Sequence, residues 1–121
     1  LYSLCNFAID LPMTQEHIDS ASFQELKQLN PDWDVSVDWV YNFPDDSAKT
    51  IVVRCTVEDG KLTRTALLPT WIDRSSIPEV LTAQDPRFGQ VVDYLQDISD
   101  RAGLNAVFRV DGDEVLVAAR S

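Results

Sequence analysis

Apolar positions along this chain change period several times, and each change marks an element. Over residues 1–9, Leu1, Leu4, Phe7, Ala8 and Ile9 fall on both faces of an extended segment, the pattern of a strand covered on two sides. Asp10-Leu11-Pro12 ends it. A helical stretch is expected between residues 15 and 29. Thr14 is placed to cap residues 15–20, and Ser22 with Glu25 forms a capping-box pattern for residues 23–29. Phe23, Leu26 and Leu29 then share one helix face, and Asn30-Pro31 stops the helix. Val35, Val37 and Trp39 alternate with Ser36 and Asp38, which predicts a short strand, and residues 42–47 read as a loop.

The second half is more regular. Ile51, Val53, Cys55 and Val57 alternate with Val52, Arg54 and Thr56, and Asp59-Gly60 is a two-residue turn signal with residues 61–68 returning as the second strand. Pro69 ends or bends that strand, residues 70–73 suit an edge strand, and residues 74–81 form a loop carrying Pro78. The spacing predicts a helix over residues 86–102, with Asp85 as N-cap, Pro86 at the first helical position and Gly103 past the end. Phe88, Val91, Val92, Leu95, Ile98 and Ala102 form its apolar stripe. A second hairpin turns at Asp111-Gly112, between Leu104, Ala106, Phe108, Val110 and Val115, Leu116, Val117. The expected fold is α+β: an antiparallel β-sheet with one long C-terminal helix and a shorter N-terminal helical segment, in one domain over residues 1–121.

Composition narrows the partners. Ten Lys and Arg against twenty Asp and Glu give a net charge of −10. Such a field repels nucleic acid and anionic lipid, and it leaves a solvated acidic surface, cations or basic partners. No apolar run approaches the ~20 residues of a membrane helix. Cys5 and Cys55 both sit in apolar, strand-like stretches. They read as buried free thiols, with a disulfide left open, since spacing alone does not decide it.

Complete catalytic chemistry is missing from the chain. His17 is the single histidine, and it lacks a placed nucleophile or further ligands. Asp32, Asp34, Asp38, Asp45 and Asp46 form an acidic cluster, but the calcium-loop pattern beginning at Asp32 fails at Val37, where a glycine is needed. Trp33, Trp39, Tyr41 and Phe43 crowd the same stretch, so Trp33, Trp39 and Tyr41 are candidate binding residues for a glycan or cationic peptide as well as candidates for packing. Ser3, Ser75 and Ser76 lack a nucleophile-elbow context. No metal or other cofactor is expected on these residues.

Leu1-Tyr2-Ser3-Leu4-Cys5-Asn6-Phe7 resembles the Tyr-Ser-Leu-Gly-Asn-Phe segment of CapA-type poly-γ-glutamate capsule biosynthesis proteins. The likeness continues through 46–53, Leu67-Leu68-Pro69, 77–81, Asp85-Pro86-Arg87-Phe88, 91–95, Ala102-Gly103-Leu104-Asn105 and 111–115, and it is weak over 11–45. The resemblance implies part of a metallophosphoesterase-like sandwich. The metal ligands of that family lie ahead of the Tyr-Ser-Leu strand, so the whole protein would be a metal-dependent hydrolase or transferase, and this chain its non-catalytic C-terminal region. Ser3 and Asn6 would stand behind the metal site, and Cys5 replaces the glycine of the family pattern. A chain opening in mid-strand is expected to be cut from a longer protein. The missing N-terminal portion would be one partner. An exposed strand edge at residues 1–8 would permit a homodimer. Family analogy places the parent at the bacterial cell surface.

Overall fold

The computed structural model describes residues 9–119, so the expected first strand, with Ser3, Cys5 and Asn6, lies outside the described residues except for Ile9. The chain divides into two compact units, one built from the chain up to Ala48 with Ile72–Pro78, the other from Lys49–Trp71 and the chain from Glu79 onward. The class is α+β, as the periodicities predict: among the described residues there are three α-helices and a five-stranded sheet.

In the first unit α1 (Gln15–Ile18) starts where Thr14 accepts a hydrogen bond from the His17 amide at 3.2 Å. The next helix, α2 (Ala21–Leu29), is capped by Ser20, whose hydroxyl accepts from the Phe23 amide at 3.3 Å. This corrects the Ser22 cap: Ser20 is already extended as the chain leaves α1, so the second helix begins two residues sooner. Only Phe23 of the expected apolar face is buried, against Trp33 at a ring separation of 5.1 Å. Leu26 and Leu29 are 54% and 78% exposed.

The short strand expected over 35–39 is absent. Its backbone groups are taken locally instead: the Ser36 amide donates to Asn42 Oδ1 at 2.9 Å and the Trp39 amide to the Ser36 carbonyl at 3.2 Å. The chain then makes a single parallel bridge between Leu11 and Tyr41 and a 3-10 turn at Asp45–Ala48.

The second unit holds the sheet. Strands β1 (Lys49–Glu58) and β2 (Lys61–Ile72) form the first hairpin, with Asp59 and Gly60 at φ 51° and 74°, the pair of positive angles that a tight two-residue turn requires. Pro69 does not end β2; it pairs with Ile51, and its carbonyl accepts from the Leu81 amide at 2.9 Å. Residues 78–80, expected as loop, form β3 (Pro78–Val80) alongside β2. Helix α3 (Pro86–Arg101) is capped by Asp85 and followed by Gly103 at φ 68°. The closing hairpin joins β4 (Ala106–Asp111) to β5 (Glu114–Ala119). Its central residues are Gly112 and Asp113, one step later than expected, because Asp111 pairs with Glu114. Sheet order is β1-β2-β5-β4.

One face of that sheet buries Leu67 and Val115 against Leu81, Phe88 and Val91, with Ile51, Val53, Trp71, Val92, Leu95 and Phe108 packed around them. Full burial of each such side chain contributes about 1.5–3 kcal/mol. Ile98, expected in the stripe, is 40% exposed, and Ser99 is buried instead.

Candidate functional site: an acid-rimmed cleft

A concavity lies in the first unit. Leu29, Asn30, Pro31, Asp32 and Trp33 form one wall and Pro44, Asp45 and Asp46 the other, around a cleft of about 380 Å³. The end of α2 and the turn after it present the first wall, and the 3-10 turn presents the second. Of the five clustered acids, the fold brings Asp32, Asp45 and Asp46 to this cleft; Asp34 and Asp38 are exposed and do not line it.

Trp33 is half-buried in the wall, its indole Nε1–H donating to the Asn42 carbonyl at 2.8 Å. Trp39 carries the Arg74 guanidinium 4.2 Å from its ring centre. Arg74 also donates to Asp45 Oδ1 at 2.9 Å, and its own carbonyl accepts from the Val40 and Tyr41 amides at 2.9 and 3.0 Å. Tyr41 leaves the candidate binding set: it is 1% exposed, and its hydroxyl donates to the Ser47 carbonyl at 2.7 Å. Its ring is therefore a packing element.

Asn42 holds the stretch together and nothing in its neighbourhood announced it. Fully buried, it accepts from Ser36 and donates to the Leu11 and Trp39 carbonyls at 2.9 and 3.0 Å. Two of the three partners of that amide, Ser36 and Trp39, are near in sequence, and the third, Leu11, lies 31 positions away.

Two ion clusters lie in the second unit. Glu114 on β5 takes Arg54 from β1 and Arg64 from β2, the latter at 2.6 Å. Arg64 beside it holds the Glu114 carboxyl below its ordinary 4.5, and Glu114 in turn raises Arg64. Arg87 is clamped by Asp85 at 2.7 Å and Glu79 at 3.0 Å and lies over Trp71 at 5.9 Å. The Arg87 hydrogen bonds push the Asp85 carboxyl down, and Asp85 pushes Arg87 up. These clusters join elements.

Cys55 is exposed with a free thiol, correcting the buried placement: β1 loses its cover beyond Val53. His17 is exposed beside Phe23. Among the described residues no three His, Cys, Asp or Glu side chains gather as a metal ion requires, and no helix is long and apolar enough to cross a membrane. The cleft is suited to holding a ligand: apolar walls take an aliphatic or ring surface, and the carboxylates take cationic or hydroxyl groups. Comparison with known protein families, curated proteins and solved structures finds no match.

Proposed function

We propose that this chain is the non-catalytic C-terminal region of a CapA-type poly-γ-glutamate capsule biosynthesis protein, the whole protein being a metal-dependent hydrolase or transferase at the bacterial cell surface. The observation that carries the reading is where its similar segments fall. Leu67-Leu68-Pro69 occupies the interior of β2, Asp85-Pro86-Arg87-Phe88 caps and opens α3, Ala102-Gly103-Leu104 ends it, and 111–115 contains the last turn. Segments that make a sheet-and-helix unit are the ones that resemble the family, as expected of a shared structural part. On this reading the metal and its chemistry belong to another portion of the protein, and no reaction step is placed on this chain.

The gene's upstream reading frame and a calorimetric metal titration test this. The reading expects Asp, Asn and His ligands upstream, and divalent metal bound by the longer protein but not by residues 1–121. A tight manganese or zinc site within residues 1–121 overturns it.

The cleft favours a second reading, a binding module for a cationic peptide or glycan. Asp32, Asp45 and Asp46 stand around the half-buried Trp33 and two prolines, which suits a charged head on an aliphatic stem or a sugar ring against the indole. Tryptophan fluorescence titrated with an oligolysine peptide, and separately with oligosaccharides, tests it. Saturable quenching that is lost in Asp32→Asn with Asp45→Asn supports the peptide arm, and the absence of any response defeats both arms.

A further inference from the structure

The same dipeptide occurs twice in this chain and is held in two ways. Asp59-Gly60 and Asp111-Gly112 are the Asp-Gly pairs of the sequence, and Asn-Gly does not occur. An aspartate followed by glycine is open to attack on its own Cγ, because the glycine has no Cβ to hinder its nitrogen. Asp59 and Gly60 are both central residues of the first turn, at φ 51° and 74°, and neither belongs to a strand. The ladder closes on Glu58 and Lys61. The Asp59 side chain is exposed and makes no hydrogen bond or ion pair among the described residues. In the second hairpin the turn sits one residue later. Asp111 is the last residue of β4 and pairs with Glu114. Its Oδ2 is held by Arg64 Nη2 at 3.2 Å. A side chain at either glycine would meet nothing within 4 Å, so crowding does not separate the two sites. Restraint of the aspartate does: strand pairing and the arginine must both be released before the Asp111 Cγ can turn to the Gly112 nitrogen.

We propose that Asp59 is a site of spontaneous covalent modification in the folded protein, converting to a β-linked aspartyl residue, and that the fold protects Asp111. The Gly60 nitrogen bonds to the Asp59 Cγ. One carboxyl oxygen leaves as water, carrying its own proton and the amide proton, and a succinimide ring closes. Water then adds to one of the ring carbonyls and breaks that carbon's bond to nitrogen. Breaking the bond at Cγ restores aspartate. Breaking the bond at the main-chain carbon frees an α-carboxylate and leaves Gly60 joined through Cγ. Water is lost and regained, and nothing is oxidised or reduced. The product carries an extra main-chain methylene in a turn whose two central residues must both hold positive φ, so the disturbance falls on the end of the β1–β2 hairpin.

Folded chain kept for weeks at neutral pH and physiological temperature, beside a sample kept in urea, tests this. Trypsin releases the pairs on separate peptides, 55–61 and 110–120. A β-linked peptide has the mass of its parent but separates from it by chromatography, and electron-transfer fragmentation breaks its Cα–Cβ bond and so places the site. In the folded sample the β-linked fraction of 55–61 is expected to grow several times faster than that of 110–120. In urea the two are expected to grow at similar rates, since both restraints on Asp111 are gone. A folded sample in which neither peptide converts, or in which 110–120 converts as fast as 55–61, overturns the proposal. So does a preference for Asp59 that persists undiminished in urea, because the choice would then belong to the flanking residues and not to the turn.

Discussion

Asn42 and Glu114 show how much of this structure depends on single polar side chains. The Asn42 amide ties its own loop to Leu11 and to the 36–39 stretch. Asn42→Leu keeps the branching of the side chain but is bulkier at a fully buried position and leaves an amide and two carbonyls without their partner. A loss of about 2–4 kcal/mol is expected in urea unfolding, together with a shift in Trp33 emission as its wall loosens. Glu114 acts through charge. Its folded carboxyl titrates below the ordinary 4.5 because Arg64 and Arg54 stabilise the ionised form. On acidification the unfolded chain takes up the proton first. The stabilisation is therefore complete above the ordinary value and is lost as pH falls through the lowered one. Glu114→Gln is expected to flatten that part of the stability–pH curve while leaving the neutral-to-alkaline part parallel to the parent, as thermal melts from pH 7 to pH 3 will show. Sequence periodicity revealed neither residue. Asn42 sits between two aromatics in a stretch without period, and Glu114 meets arginines 50 and 60 positions away.

At the scale of elements, legibility follows the range of the forces. Both hairpins and α3 were readable because their determinants are local: turn residues that tolerate positive φ, a capping carboxylate, a proline at the first helical position and a run of apolar residues at helical spacing. The 35–39 stretch misled because alternation promises a strand only if a neighbouring strand is present to take its backbone bonds. Here Asn42 and a turn take them first. β3 was missed for the opposite reason, being recruited by β2 rather than by its own sequence. The cleft was legible in composition, as acids and aromatics over 32–46, but not in membership. Tyr41 went to the interior, and Leu29 to Pro31 came in from the end of α2. The local determinants carry measurable energies. Asp85→Ala removes the cap that accepts from the Arg87 amide at 2.9 Å and frees Arg87 from its shortest ion pair. A cost of about 1–2 kcal/mol is expected by urea denaturation. Gly60→Val forces a β-branched residue to φ 74° and should cost at least about 1 kcal/mol, although a side chain there meets nothing within 4 Å.

For the whole molecule the deciding quantity is the excess of ten negative charges. Five arginines, Arg54, Arg64, Arg74, Arg87 and Arg101, are already engaged with carboxylates. These pairs act at contact distance, and the Glu114 side chain is 14% exposed where its arginine partners are 60% and 39% exposed. The remaining acids act on one another over longer distances, where screening is effective: the Debye length is about 10 Å at 0.1 M salt and about 30 Å at 0.01 M. Added salt thus removes repulsion faster than it removes attraction. Raising sodium chloride from about 0.01 M to about 0.3 M is expected to raise the thermal midpoint by a few degrees, since roughly 1 kcal/mol moves a domain of about 100 residues by about 4–8 °C. Scanning calorimetry measures that midpoint across the salt series. A midpoint that falls with salt would mean that the Glu114 and Arg87 clusters outweigh the repulsion, and Glu114→Gln would then remove much of that fall.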